Sequence, residues 1–341
     1  MNPLLKSTGQ KAGFLAIGFV IMLIAAAASL LFNGSHTFTP AQVFDAYNHF
    51  DGSNTDLIIR NVQIPRMTIA AIVGASLAVA GAFMQAMTRN PLASPSVMGI
   101  NSGAALAVVI ALSIAGSGAF SSSQLILIAF AGAAVTALAV FSLGAAGKSQ
   151  GETPIRVTLA GSAVAAFASA WTMGILLKQN KMLDDILLWL VGSVSGRDLH
   201  HLSAVLPYTI AGLAGALLMA KSVNVLSMGE ETARSLGLRI GLVRTVMALL
   251  VVLLAGSSVA VAGPIAFVGV IIPHISRFLI GHDYRWIIPY SVVLGAALLM
   301  AADTVSRFIL QPEELPVGVA TALIGVPFFI YVARRRSYAQ S

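Results

Sequence analysis

The 341-residue chain has no cysteine, and only 10% of its residues are charged. The missing cysteine excludes disulfides, thiolate metal sites and a cysteine nucleophile. The scarcity of charge stands against about 25% in a soluble domain, and the 57% hydrophobic share against about 45–50%. Neither a soluble core nor one hydrophobic anchor absorbs that much apolar sequence, so the composition implies a polytopic membrane protein. A net charge of +7 would suit a nucleic-acid partner. The basic residues are scattered among apolar runs, however, and read as topology signals instead.

Recognisable catalytic patterns are missing as well. SLGAAGKS at 142–149 has Ser142 where a phosphate-binding loop needs its first glycine, and no strand precedes it. His200 and His201, being adjacent, would point about 100° apart on a helix, with no carboxylate at metal-ligand spacing. No Ser-His-Asp or paired-carboxylate arrangement can be built. The chain reads as neither an enzyme nor a holder of a metal or cofactor.

Ten apolar segments approach the roughly 20 residues that span a bilayer as a helix. They cover 13–32, 67–87, 96–115, 124–143, 156–177, 201–220, 243–262, 265–280, 286–307 and 317–333. The eighth is short and interrupted by Pro273, which suggests a partial or kinked span. The first lacks a small-residue cleavage site and reads as a retained span. With the N-terminus inside, fourteen of the twenty Lys and Arg residues fall in inner segments. That bias places both termini in the cytoplasm and requires an even number of spans.

GASLAVAGAF at 74–83 and GSSVAVAGPI at 256–265 match at six of ten positions, at an offset of 182. The copies lie in the second and seventh spans, five crossings apart, so they point in opposite directions. The fold class is therefore an all-α membrane protein of about ten transmembrane helices with an inverted internal repeat, spans 2–5 against spans 7–10. Residues 1–341 form a single permease-like domain. Gly74, Ser76, Ala80 and Gly81, with their copies Gly256, Ser258, Ala262 and Gly263, would let helices approach closely.

Three connections stand out. TPAQVFDAYNHF at 39–50 reads as a short outer helix capped by Thr39, with Pro40 first. LDDILLWLVGSVSG in the outer segment 178–199 could lie as an amphipathic helix. The inner connection 221–244 is the largest; Ser227-x-x-Glu230 looks like a capping pattern before a short helix ending near Gly237. Two exposed turns are not stable alone, so this helix either lies on the membrane or docks on a partner. Asp303 and Arg307 sit four residues apart on one helical face, as a self-neutralising local pair or a functional one. His274 and Arg277 can reach the interface by snorkelling. No acidic residue sits clearly at mid-membrane to relay protons, which weakens an ion-coupled secondary transporter and leaves the energy source unexplained.

Several long segments are similar to a known family. NPLASPSVMGINSGAALAVV at 90–109, with Asn90, Pro91, Asn101 and Gly103, resembles a signature of permease subunits in ABC importers for iron–siderophore complexes, haem and cobalamin. AGPIAFVGVIIPHISRFLIGHDYR at 262–285, with Gly263, Pro264, Pro273 and His274, resembles that family's second signature. So do Asp303 in AAD at 301–303 and ELPVGVATALIGVPFFI at 314–330. GEETARSLGLRIG at 229–241 resembles its coupling segment, with Gly229, Glu230, Glu231, Ala233, Leu236 and Gly237.

The resemblance implies ten helices per subunit in the bacterial cytoplasmic membrane. It also implies a second permease subunit, identical or paralogous, two cytoplasmic ATPases carrying ATP and magnesium, and an extracytoplasmic solute-binding protein. It makes Arg66 and Arg307 candidates for gripping carboxylates on that binding protein. Many members have Arg where this chain has Gln63, and Arg60, one turn upstream, is the candidate replacement. The gate position before the fifth span falls on Pro154 and Ile155, where the family has small hydroxyl residues. A cavity lined by Ala, Ser, Thr and Met would pass a large polar chelate without trapping it.

Overall fold

The computed structural model describes residues 4–34, 36–116, 118–145, 153–178, 186, 189–310 and 313–337. Helix α1 (Thr8–Leu31) begins where Ser7 and Gln10 form a reciprocal capping box. Strands β1 (Phe32–Asn33) and β2 (His36–Thr37) pair antiparallel at its far end. Thr39 caps α2 (Pro40–Asn48) with Pro40 in the first turn, as the sequence predicts. Helix α3 (Asn54–Ile58) runs through a π-turn at Ile59–Gln63 into α4 (Ile64–Thr88). The π-turn lies just before Pro65, which has no N–H to give an ordinary helical bond.

Next come α5 (Ile100–Ala115), α6 (Ser122–Ala145) and α7 (Thr153–Lys178). Asp198 caps α8 (Leu199–Ser203), which leads to α9 (Leu206–Ser227) and the short α10 (Glu230–Ser235). Helix α11 (Ile240–Val251) continues through a second π-turn into α12 (Ser257–Ala262). The chain ends with α13 (Val268–Ile280), α14 (Tyr284–Ile309) and α15 (Val317–Ser337).

All ten expected spans are helices. Seven are long and apolar enough to cross a membrane, and α5, α13 and the apolar part of α15 (Val317–Val332) are shorter. The eighth is short for a reason other than Pro273, which sits inside an unbroken α13. The interruption lies upstream at 263–267, where Gly263 and Phe267 both have positive φ. Helix α13, 13 residues long, spans about 20 Å of a hydrocarbon core about 30 Å thick. Its missing turns are replaced by non-helical backbone, tolerated at depth only where protein encloses it. Of the amphipathic helix expected at 183–196, residues 183–185, 187 and 188 lie outside the described residues; 189–191 are helical, whereas 192–196 are not.

The two halves are visible in the packing. Helices α5, α6 and α7 form one triplet, and α13, α14 and α15 the other. The leading helix of each half crosses over: α4 packs on α13 and α14, whereas α11–α12 packs on α5 and α6. A Cβ on Gly74 would overlap the Gly295 carbonyl of α14, and one on Gly81 the Gly269 carbonyl of α13. Gly256, the copy of Gly74, faces Phe130 and Ala133 on α6. The repeated small residues thus let α4 lie backbone to backbone against the opposite half, where dispersion replaces the hydrophobic drive absent in lipid.

Candidate functional site

One end of the bundle carries the coupling candidates. Helix α9 continues to Ser227, so the non-helical connection is shorter than 221–244. The Ser227 cap does not form: its hydroxyl donates to the Asn224 carbonyl at 2.7 Å. Gly229, at φ 118°, starts α10 instead and offers no side-chain cap. A six-residue helix needs external support. It comes from Ala233, fully buried, and from Glu230, whose carboxylate accepts from Arg244 at 2.6 Å. Arg89 at 3.5 Å and Arg234 at 3.9 Å flank the same carboxylate. Glu230 therefore ties α10 to the end of α4 and the start of α11. Glu231, Leu236 and Gly237 are exposed, and Gly237 adopts φ 78°.

Asp283 braces this end by accepting from Asn224 at 2.7 Å and from Arg285 at 2.8 Å. Burial opposes its ionisation, yet the hydrogen bonds from Arg285 and Asn224 hold its carboxyl at about 2.

The opposite end carries the docking candidates. Arg66 and Arg307 are not outward-facing cations; they are 3% and 1% exposed. Arg66 donates to Asp303 from Nε and Nη2 at 2.9 Å, and to Glu314 from Nη1 at 2.7 Å. Arg307 donates to Asp303 at 2.6 Å and to Gln63 Oε1 at 2.8 Å. The Ser29 and Phe32 carbonyls occupy Arg307 Nη1 as well. Two cations and two carboxylates from different parts of the chain neutralise each other, Arg66, Asp303 and Arg307 being buried, which is how buried charge is tolerated. The Asp303–Arg307 pair is thus half of a four-charge cluster.

Glu314 is the exposed member, at 38% of its side chain, and also accepts from Ser195 Oγ at 3.1 Å. No role for Glu314 or Ser195 followed from the sequence, because Glu314 lies 248 residues from Arg66. Gln63, seen in the sequence only as a missing arginine, is an acceptor built into the cluster. Arg60, the candidate replacement, packs against α2. Its Nε donates to the Ala46 carbonyl at 2.5 Å, and its guanidinium lies 4.2 Å from the Phe50 ring centre, pinning α2.

The bundle also holds small cavities, mostly apolar with a few polar groups in their walls. One of about 210 Å³ is bounded by Ser94, Ser96, Asn101 and Phe267. Another of about 230 Å³ is bounded by Asn101, Ser102, Ser169, Thr172 and Met173. Asn101 thus contributes to both, and Pro264 closes the second. Hydroxyl and amide groups without a titratable partner can make weak, exchangeable hydrogen bonds to a passing polar solute and no chemistry on it. Phe267 is in the left-handed region at φ 69°, its ring filling the notch left by Gly325. Such strain in a non-glycine residue persists only where the surroundings enforce it.

The other signature residues shape this frame. Asn90 accepts from the Leu92 N–H at 3.0 Å, turning the chain before Pro91. Gly103 lies against Thr136, and the His274 ring meets Phe328 edge-on at 5.6 Å. Pro154 lies in the first turn of α7, and Ile155 is 65% exposed there. No group of three or more metal-ligating side chains occurs among the described residues.

Two inverted helical halves, buried charge at one end and a braced short helix at the other define a multi-pass membrane protein of transporter architecture. A model of the FecCD transport family matches residues 20–335, and the chain belongs to that family. It is 46% identical over 335 residues to the probable siderophore transport system permease protein YfiZ of Bacillus subtilis strain 168, covering 97% of this chain and 98% of that one. It is 43% identical over 320 residues to the Fe(3+)-citrate import system permease protein YfmD of the same organism, covering 93% and 94%. Among solved structures it matches an inward-facing conformation of a putative metal-chelate type ABC transporter. That match has a TM-score of 0.81 and 27% identity, and covers 95% of this chain and 99% of that one.

Proposed function

We propose that this chain is the membrane-spanning permease subunit of an ATP-driven importer that carries an iron–siderophore complex across the bacterial cytoplasmic membrane. The observation that carries the reading is near full-length similarity to permeases named for siderophore and ferric citrate import. Both termini and α10 lie on the cytoplasmic side, and the Arg66–Asp303 cluster lies outside. The chain works with a second permease subunit, identical or paralogous, two cytoplasmic ATPases that hold ATP and magnesium, and an extracytoplasmic binding protein. The chain itself hydrolyses nothing.

ATP-driven movement of the partner pushes on α10. Because Glu230 joins that helix to Arg89 and Arg244, the push reaches α4 and α11, the two helices that cross between the halves. The halves then rock against each other, with Pro154 and Ile155 at the cytoplasmic mouth. At the outer face the buried arginines set the shape of the docking surface through Glu314, while Arg60 holds α2 beside it.

The test is uptake in a strain lacking the gene, offered iron-loaded siderophores, haem and cobalamin in parallel. Restored uptake of an iron–siderophore complex alone is expected. Restoration of haem or cobalamin uptake instead would overturn the substrate assignment. Uptake without copurification of any ATPase subunit would favour an ion-coupled carrier.

A further inference from the structure

Beside the outer ends of α5 and α6 lies a cavity of about 280 Å³ that the transport reading does not use. Its walls are apolar, built mainly by Val108, Leu112, Ile126, Trp189 and Ala260, and its rim includes Gly118 and Ser122. Both rim residues are exposed, so the cavity opens at the surface of the α5–α6 connection. One cation, Arg197, enters this apolar space.

Arg197 Nε is buried without a hydrogen-bond partner. Its neighbour Asp198 does not serve it: that carboxylate accepts from the His201 N–H at 2.9 Å while capping α8. Burial pushes the Arg197 guanidinium below its usual range, with the charge of Asp198 acting against that shift. A cation facing an apolar cavity with an unmet donor is costly, and an anionic oxygen placed against it would remove that cost.

We propose that this cavity binds an anionic phospholipid of the adjoining leaflet, with the headgroup phosphate on Arg197 and the start of an acyl chain along Trp189 and Ile126. Size and position agree. At about 30 Å³ per small group the cavity takes on the order of ten non-hydrogen atoms, a segment of one chain and not a whole lipid. The mouth lies at the end of two membrane-crossing helices, where headgroups sit. Charge selects the class: a guanidinium makes a paired contact with a phosphate monoanion, whereas the ammonium of a zwitterionic lipid would oppose it.

Trp189 reports occupancy directly. In full-length chain carrying Trp171→Phe and Trp286→Phe, Trp189 is the remaining tryptophan of the three. Reconstituted in phosphatidylcholine nanodiscs, its fluorescence should be quenched saturably by brominated phosphatidylglycerol, and far less by brominated phosphatidylcholine. Arg197→Gln should weaken the phosphatidylglycerol response by at least about tenfold, since it removes the charge-assisted contact, and Arg197→Lys should retain part of it. Ser122→Phe, at an exposed rim position that leaves the core untouched, should block quenching with Arg197 intact. Equal quenching by both lipids, or an unchanged response in both Arg197→Gln and Ser122→Phe, would overturn the proposal. Quenching by brominated decanoate but not by brominated phosphatidylglycerol would overturn the lipid assignment in favour of a soluble amphiphile.

Discussion

Replacing Asp303 with Asn removes the anion shared by two buried guanidiniums while keeping the side-chain shape. In the native cluster Asp303 accepts from Arg66 at 2.9 Å and from Arg307 at 2.6 Å, and is itself 1% exposed. After the substitution Arg66 keeps Glu314, but Arg307 keeps only neutral acceptors on Ser29, Phe32 and Gln63. One buried positive charge is left uncompensated. Breaking a buried pair in this way costs about 3–5 kcal/mol, more than a hundredfold in the folded-to-unfolded ratio. The assay is equilibrium unfolding in mixed micelles, followed by fluorescence. Asp303→Asn combined with Arg307→Met removes anion and cation together and restores neutrality with the Arg66–Glu314 pair intact. The double variant should therefore recover at least about 1.5 kcal/mol relative to the sum of the single losses. A loss below about 1 kcal/mol for Asp303→Asn, or strict additivity in the pair, would refute the account of a charge-balanced cluster.

Gly81→Val should prevent α4 from seating on Gly269, since backbone lies on both sides and cannot retreat; a collapse in the yield of monodisperse protein is expected, against near-normal yield for Gly13→Val, where a Cβ meets nothing within 4 Å. Glu230→Lys should abolish uptake while membrane insertion stays normal, because it sets a fourth cation among Arg89, Arg234 and Arg244 and releases α10; normal uptake would reject the transmission role. For Asp283 the folded carboxyl lies at about 2, below its ordinary 3.8. Its contribution is therefore complete above the ordinary value and is lost as pH falls through about 2. The native protein should lose stability more steeply than Asp283→Asn over that acid window, read as thermal midpoint against pH.

The membrane class, the ten spans and the inverted repeat were legible in the residues because they rest on composition and local spacing. Twenty apolar residues make a bilayer-spanning helix wherever the chain goes, and a duplicated segment stays duplicated however it packs. Thr39 and Pro40 placed α2 for the same local reason. Ser227 misled, because a capping pattern has several local outcomes. Here the serine bonded backward to Asn224, and α9 ran on to meet Gly229.

Of the charge clusters, only the Asp303–Arg307 pair was legible, as one of two readings of their four-residue spacing. Arg66 and Arg307 read as surface cations, since proximity to the end of a span is all that sequence spacing reports. Whether such a group faces water depends on what else arrives: Asp303 from α14, Glu314 from the approach to α15 and Ser29 from α1. Glu230 likewise meets Arg89 and Arg244 only after α4 and α11 cross between the halves. Helical spans follow from local chemistry, whereas the cancellation of buried charge also needs contacts across the chain, between Arg66 and Asp303 or Glu314 more than two hundred positions apart and between Arg89 and Glu230 more than a hundred.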